Sequence, residues 1–155
     1  MERKTKVHAE EGQQVLVITR EFDLPVELLF KAYEDPAIVE QWMGTKVLKL
    51  ESRPHGSYQY ETKDAQGNVL FRGNGVIHAF VPNQKITRTF EMEGATFDAQ
   101  LEFLEFEKIT DDTSRLTSHV VYRSAAHRDR NLKMPFAYGI NMAHDRLQDV
   151  VSKLK

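Results

Sequence analysis

The sequence predicts an α+β domain in which a curved antiparallel sheet wraps around one long C-terminal helix. Three observations predict it. From Lys46 to Arg123 the chain is a run of segments rich in β-branched and aromatic residues, separated by short turn signals. From Phe136 to Leu154, apolar side chains instead recur at spacings of three and four. The length of 155 residues suits a single domain over 1–155. A chain of this size buries about 68–70% of its unfolded surface, enough for a real core.

The elements follow in order. Gln13–Phe22 reads as a strand, and "EEG" at Glu10–Gly12 as a turn that adds a short strand near Lys6–Ala9. Asp23 and Pro25 then open a helix that carries Val26, Leu29, Phe30 and Tyr33 on one side. "EDP" breaks it, and Ile38, Val39 and Trp42 form a second short helix that ends at Gly44. Strands are expected at Lys46–Arg53, Ser57–Lys63, Val69–Val81, Lys85–Met92, Phe97–Lys108 and Ser114–Arg123. "RPHG", "DAQGN", "VPNQ", "EGA" and "TDDT" supply the turns between them. The basic stretch Arg123 to Lys133 reads as a solvated loop leading into the first turn of the long helix. Pro135 belongs in that first turn.

Strand alternation assigns faces. Tyr58 and Tyr60 share one, as do Ile86, Arg88 and Phe90. Phe97, Ala99, Leu101 and Phe103 share another, and so do Leu116, Ser118, Val120 and Tyr122. Leu104 and Phe106 continue in the opposite phase to Phe103, which reads as a bulge or a strand end buried on both sides. Apolar residues occupy both phases of Val15–Phe22 and Val69–Val81, so no face is assigned there. The glycines of "GNG" at Gly73–Gly75 read as a bulge or a close backbone approach inside a strand, not as a phosphate loop.

The stripe of the last helix changes along its length. Leu147, Val150, Val151 and Leu154 are bulky, whereas Phe136, Gly139, Ile140 and Ala143 include the smallest side chains. A glycine inside a helix costs about 1 kcal/mol relative to alanine, so Gly139 needs a packing or functional reason. Small residues against an aromatic sheet face mean either tight interdigitation or a space that no side chain fills.

Composition closes several routes. A net charge of -2 supplies no field for nucleic acid or an anionic membrane. There is no cysteine, hence no disulfide and no thiolate nucleophile or metal ligand. The longest aliphatic run, Val15–Ile18, is far shorter than the ~20 residues of a membrane span, and the first residues lack the apolar stretch of a signal peptide. The expectation is a soluble cytoplasmic protein. His8, His55, His78, His119, His127 and His144 make no H-x-x-x-H or H-x-H pair and read as surface or capping residues, so no metal and no other cofactor is expected. No serine stands in a nucleophile context, and no catalytic residue is assigned. Arg88 lies between Ile86 and Phe90 on the aromatic face and must be paired there, by a protein carboxylate or by a ligand's acidic group. Trp42 reads as the core anchor of the second short helix.

The stretches "ITREFDLPVELLFKAYEDPAIVEQWMG", "RPHGSYQYETKDAQGN", "FRGNGVIHAFVPNQKITRTFEMEG", "SRLTSHVVYRS" and "AYGINMAHDRLQDVV" resemble the START-like superfamily, also called SRPBCC, helix-grip or Bet v 1-like. The similar branch is named for activators of heat-shock chaperone ATPase and includes polyketide-cyclase-like and enediyne self-resistance proteins. The resemblance implies a helix-grip fold with an apolar cavity between sheet and last helix. On that footing the expected lining is Trp42, Tyr58, Tyr60, Arg88, Phe90, Phe97, Leu101, Tyr122, Phe136, Gly139, Ile140 and Ala143. The chain departs from the family pattern where relatives often open the last helix with two carboxylates. Here Phe136, Ala137, Tyr138 and Gly139 stand there, so their acid/base role does not carry over. His55–Gly56, Met43 after Trp42, and Phe90 are further departures. Three functions follow from the resemblance. The first is non-catalytic binding of a hydrophobic or aromatic, lipid- or polyketide-like molecule. The second is a protein-interaction module regulating a chaperone ATPase or stress response. The third is a cyclase- or hydrolase-like enzyme using the same cavity. The lining favours the first, in a monomer or weak homodimer.

Overall fold

A computed structural model describes residues 3–94, 98–133 and 135–155. Its strands are β1 (Lys6–His8), β2 (Val15–Phe22), β3 (Lys46–Leu50), β4 (Ser57–Lys63), β5 (Val69–Val81), β6 (Lys85–Met92), β7 (Gln100–Lys108) and β8 (Ser114–Val121). Its helices are α1 (Val26–Glu34), α2 (Pro36–Met43), α3 (Ala125–Lys133) and α4 (Phe136–Ser152). The strands form one eight-stranded antiparallel sheet in the order β1-β2-β8-β7-β6-β5-β4-β3. This is the expected α+β helix-grip architecture. Register shifts at Val47/Lys49, Thr62/Lys63 and Ile77/Ala79 bend the strands where they occur.

Local chemistry sets the helices. Asp35 takes an extended conformation because Pro36 follows it, which ends α1. The Asp35 carboxylate then accepts from the Ala37 backbone N–H at 2.9 Å and caps α2. Gly44, left-handed at φ 66°, closes α2. The indole Nε1 of Trp42 donates to the Ala32 carbonyl at 2.7 Å and ties the two helices together.

Registers settle the faces. Leu16, Ile18, Arg20 and Phe22 of β2 point inward. In β7 the inward set is Glu102, Leu104 and Phe106, because Glu102 faces Arg88 and Leu104 faces Ile86 across the β6 ladder. Directly opposed residues share a sheet face. The expected phase of Leu101 and Phe103 is therefore inverted, and Phe103 is exposed. Neither ladder of β7 carries a register shift, so no bulge lies behind Leu104 and Phe106. "GNG" is a close backbone approach. A Cβ on Gly75 would sit 2.0 Å from the Thr89 carbonyl oxygen and 2.4 Å from the Tyr58 ring. Arg123 to Lys133 is not a solvated loop: it includes α3, and Arg128, buried, donates to the carbonyls of Glu10 at 2.6 Å and Val15 at 3.2 Å.

Two apolar clusters result. The larger joins α1, α2, the sheet and the C-terminal half of α4 through Leu147 and Val151. The smaller gathers Leu16, Ile18, Val120 and Tyr122, with Leu132, Phe136 and Ile140 packed on it. Leu147 is 0% exposed, so Leu147→Ala removes transfer free energy and leaves a void. Chemical denaturation of Leu147→Ala should show a loss of about 2–5 kcal/mol. A loss well under 1 kcal/mol would mean that this part of α4 does not seal the larger cluster.

Candidate functional site

A cavity of about 330 Å³ lies between the two clusters. The larger cluster contributes Tyr33, Trp42, Tyr60 and Leu104 to its wall. The smaller contributes Ile18, Val120, Phe136 and Ile140. Ala143 and His144 of α4 line its helix side, and Met43, Phe90, Gln100, Arg88, Glu102 and Ser118 complete the wall of this half-open cavity.

The charged part of that wall is one ion pair. Arg88 Nε donates to Glu102 Oε1 at 2.9 Å, and the two side chains are only 12% and 13% exposed. The guanidinium also lies 5.2 Å from the Tyr58 ring centroid and 6.0 Å from that of Tyr33. Burial works against its charge, but Tyr58, Glu102 and Tyr60 outweigh that and hold Arg88 above its usual value. Burial likewise pushes the phenols of Tyr33, Tyr58 and Tyr60 up, so all three keep their protons. Tyr58 spends its hydroxyl on the Thr89 carbonyl.

On the other side of the cavity, His144 is 3% exposed and its ring meets Phe22 edge-on at 5.6 Å. Its Nδ1 is 2.7 Å from the Thr5 hydroxyl. Burial, followed by the neighbouring Arg20 charge, holds the imidazole at about 3 against a usual 6.5, with Asp145 opposing. The ring is neutral at working pH. Arg20, 4% exposed, pairs with Asp145 at 2.7 Å and lies 5.1 Å from the Phe22 centroid. Its Nε is the single sealed side-chain polar atom without a partner among the described residues.

A second depression, about 320 Å³, lies at the β1–β2 edge beside Arg3, Lys6, Glu21 and Arg115. Arg3 and Arg115 there are both paired to Glu21, at 2.8 and 2.9 Å, so the depression is the margin of a salt-bridge network. Among the described residues no group of three or more His, Asp or Glu could hold a metal ion. Among the described residues no helix is long and apolar enough to cross a membrane.

The family described as Activator of Hsp90 ATPase homolog 1-like protein matches residues 23–152. The chain belongs to that family. A protein of Mycobacterium smegmatis, Ms6760, is similar at 22% identity, with a TM-score of 0.83 over 95% of this chain and 96% of its own. A Rhodobacter sphaeroides protein superposes with a TM-score of 0.85 at 17% identity, over 97% and 99% of the two chains. DynU16, a protein in the dynemicin biosynthetic locus, has a TM-score of 0.73 at 12% identity; 92% of this chain matches 49% of it. Curated proteins give no match.

In this member of the Activator of Hsp90 ATPase homolog 1-like family, Trp42, Tyr60, Arg88, Phe90, Phe136, Ile140 and Ala143 all reach the cavity wall. Tyr58 is packed into the larger cluster beside it, and Tyr122 into the smaller, where its hydroxyl accepts from Asn131 at 3.0 Å. Two expected wall residues are corrected. Leu101 lies on the outward face of β7, because Glu102 takes the inward place opposite Arg88. Gly139 is exposed, and a Cβ there would meet nothing within 4 Å, so neither packing nor a ligand calls for a glycine at that position. Phe97 lies outside the described residues. His144 is also corrected, from a surface group to a buried one. Ile18, Tyr33, Met43, Gln100, Glu102, Leu104, Ser118, Val120 and His144 line the wall outside the expected set. The signal for His144 was present: Ile140, His144, Leu147 and Val151 are spaced four, three and four apart.

Because the folded state disfavours imidazolium, His144 contributes stability that is present above pH 6.5 and is lost as pH falls toward about 3. Between pH 6.5 and pH 5 that amounts to about 1.5–2 kcal/mol. This window lies above 4.5, the ordinary value of Glu51, which backbone and hydroxyl donation from Ser57 holds at about 2. Urea titrations across it should show the decline in the native protein and a flatter profile in His144→Gln. An equal decline in both would remove His144 as its cause.

Proposed function

We propose that this chain binds one hydrophobic or aromatic small molecule between its sheet and α4, without chemistry on it. The observation that carries the reading is the cavity of about 330 Å³ between two apolar clusters, walled largely by aromatic and aliphatic groups. That volume lies in the range of small-molecule sites, which are mostly apolar with a few placed polar groups. The buried His144 bonds a threonine hydroxyl rather than a carboxylate. Ser118 shares the wall with it, yet no hydrogen bond joins the two among the described residues. A nucleophile, base and orienting group therefore do not line up, which favours binding over hydrolysis or cyclisation. The family's name carries the reading of a chaperone ATPase regulator. Aromatic side chains gathered around a half-open cavity favour the small molecule.

Trp42 is the only tryptophan, and it lines the cavity. Energy transfer from it therefore reports on this site. N-phenyl-1-naphthylamine, a neutral aromatic dye, should quench Trp42 and show sensitised emission that saturates at one dye per chain. Transfer that never saturates, or no transfer, would refute the reading.

A further inference from the structure

The hydrogen-bond chain behind His144 favours one of its nitrogens as the site of the proton. Thr5 is held against α4 because its backbone N–H donates to Asn141 Oδ1 at 2.9 Å. Its hydroxyl meets two groups: His144 Nδ1 at 2.7 Å and Arg20 Nη1 at 3.5 Å. A guanidinium only donates. The Thr5 hydrogen has one acceptor left among the described residues, His144 Nδ1. A proton on Nδ1 would also point toward the buried Arg20 charge, whereas a lone pair there is favoured. These contacts favour Nδ1 as the acceptor, which leaves the hydrogen of the neutral ring on Nε2. Nε2 bonds nothing among the described residues and is not a sealed orphan, while the ring lines the cavity. The ring shares the cavity wall with Phe136, Ile140, Val120 and Ser118, so an unsatisfied Nε2–H is a donor available to a ligand there.

The charges of the wall narrow the ligand further. Among the described residues Arg88 and Glu102 are its only full charges, and they neutralise each other. A ligand carboxylate would enter without a free cation to meet it and would crowd Glu102, at a steep desolvation cost. A ligand hydroxyl at His144 would need a second group, such as Ser118, to accept its own hydrogen. A carbonyl oxygen brings no hydrogen.

We propose that the cavity selects a neutral aromatic ketone or comparable ring carbonyl, whose oxygen accepts from His144 Nε2–H, with Thr5 and Arg20 as the positioning residues that set the ring's tautomer. This deepens the small-molecule reading above and rests on it.

The test uses a matched pair of probes, 9-fluorenone and fluorene, which share a ring frame and differ by one carbonyl, with 9-fluorenecarboxylate as the charged control. Affinities come from displacement of N-phenyl-1-naphthylamine. One net hydrogen bond should favour fluorenone over fluorene by about five- to tenfold, and the acid should bind weakest. In His144→Leu the preference should fall to about onefold while fluorene still binds. The tautomer is read independently from the imidazole 15N shifts of the ligand-free protein, with the His144→Gln spectrum giving the assignment. Hydrogen on Nε2 is expected. Thr5→Val should move the pattern toward a tautomer mixture and weaken the ketone preference, a change that loss of packing alone would not produce. The inference is overturned by hydrogen on Nδ1 in the native protein. It is overturned equally by a ketone preference that survives His144→Leu, by fluorene and fluorenone binding alike, or by the acid binding tightest. If neither neutral probe binds, the small-molecule reading itself falls and takes this one with it. Should His144→Leu fail to fold, the 15N pattern and Thr5→Val decide.

Discussion

One helix has to close a sheet of eight strands. α4 has 17 residues and therefore spans about 25 Å. A straight rod of that length meets a bent sheet well over part of its course. It does so at its C-terminal half, where Leu147 and Val151 are sealed into the larger cluster. Its first turns carry Phe136 and Ile140 onto the smaller cluster. Between these contacts stand Ala143, at the margin of the larger cluster, and His144, tied sideways to Thr5, and both line the cavity. The two clusters, the gap between them and the polar groups that reach the gap all follow from this single closure.

The sheet side of the gap obeys a second constraint. Arg88 and Glu102 occupy opposed positions on β6 and β7 in the middle of the inward face. Apolar cover over a buried ion pair is costly, since each ion loses hydration that its partner only partly restores. Tyr33, Tyr58 and Tyr60 surround the pair with rings and neutral hydroxyls instead. A fold seeking stability alone would gain as much from an apolar pair of the same volume.

Much of this was legible in the sequence. Strand and helix positions follow from period and turn chemistry, which are local. Asp35–Pro36 and Gly44 punctuate the chain by backbone physics that no tertiary contact overrides. Faces were harder, because a face is decided by the neighbouring strand. In β7 Leu101 and Phe103 offered one apolar phase and Leu104 and Phe106 the other, and the ladder to β6 chose the second. The charge on Glu102 hid its inward position, because its partner Arg88 is far away in sequence. On α4 the stripe was read too far to one side. At about 100° per residue, Gly139 and His144 fall on opposite flanks of it. Polarity argued for glycine inside and histidine outside. Burial reversed that choice, since Thr5 and Arg20 on the opposite edge of the sheet give the imidazole its partner. Such a partner, more than a hundred residues away, leaves no local trace.

The central claim is that the space opposite Ala143 is built to be occupied by something other than this chain. Ala143→Leu tests it most directly, because the added carbons point into the cavity at little cost in helix propensity. Thermal denaturation and N-phenyl-1-naphthylamine uptake are measured on the same preparations. The account predicts a melting temperature at or above that of the native protein, together with loss of dye uptake. A destabilisation of about 1–3 kcal/mol, the signature of overpacking, with uptake unchanged would contradict it.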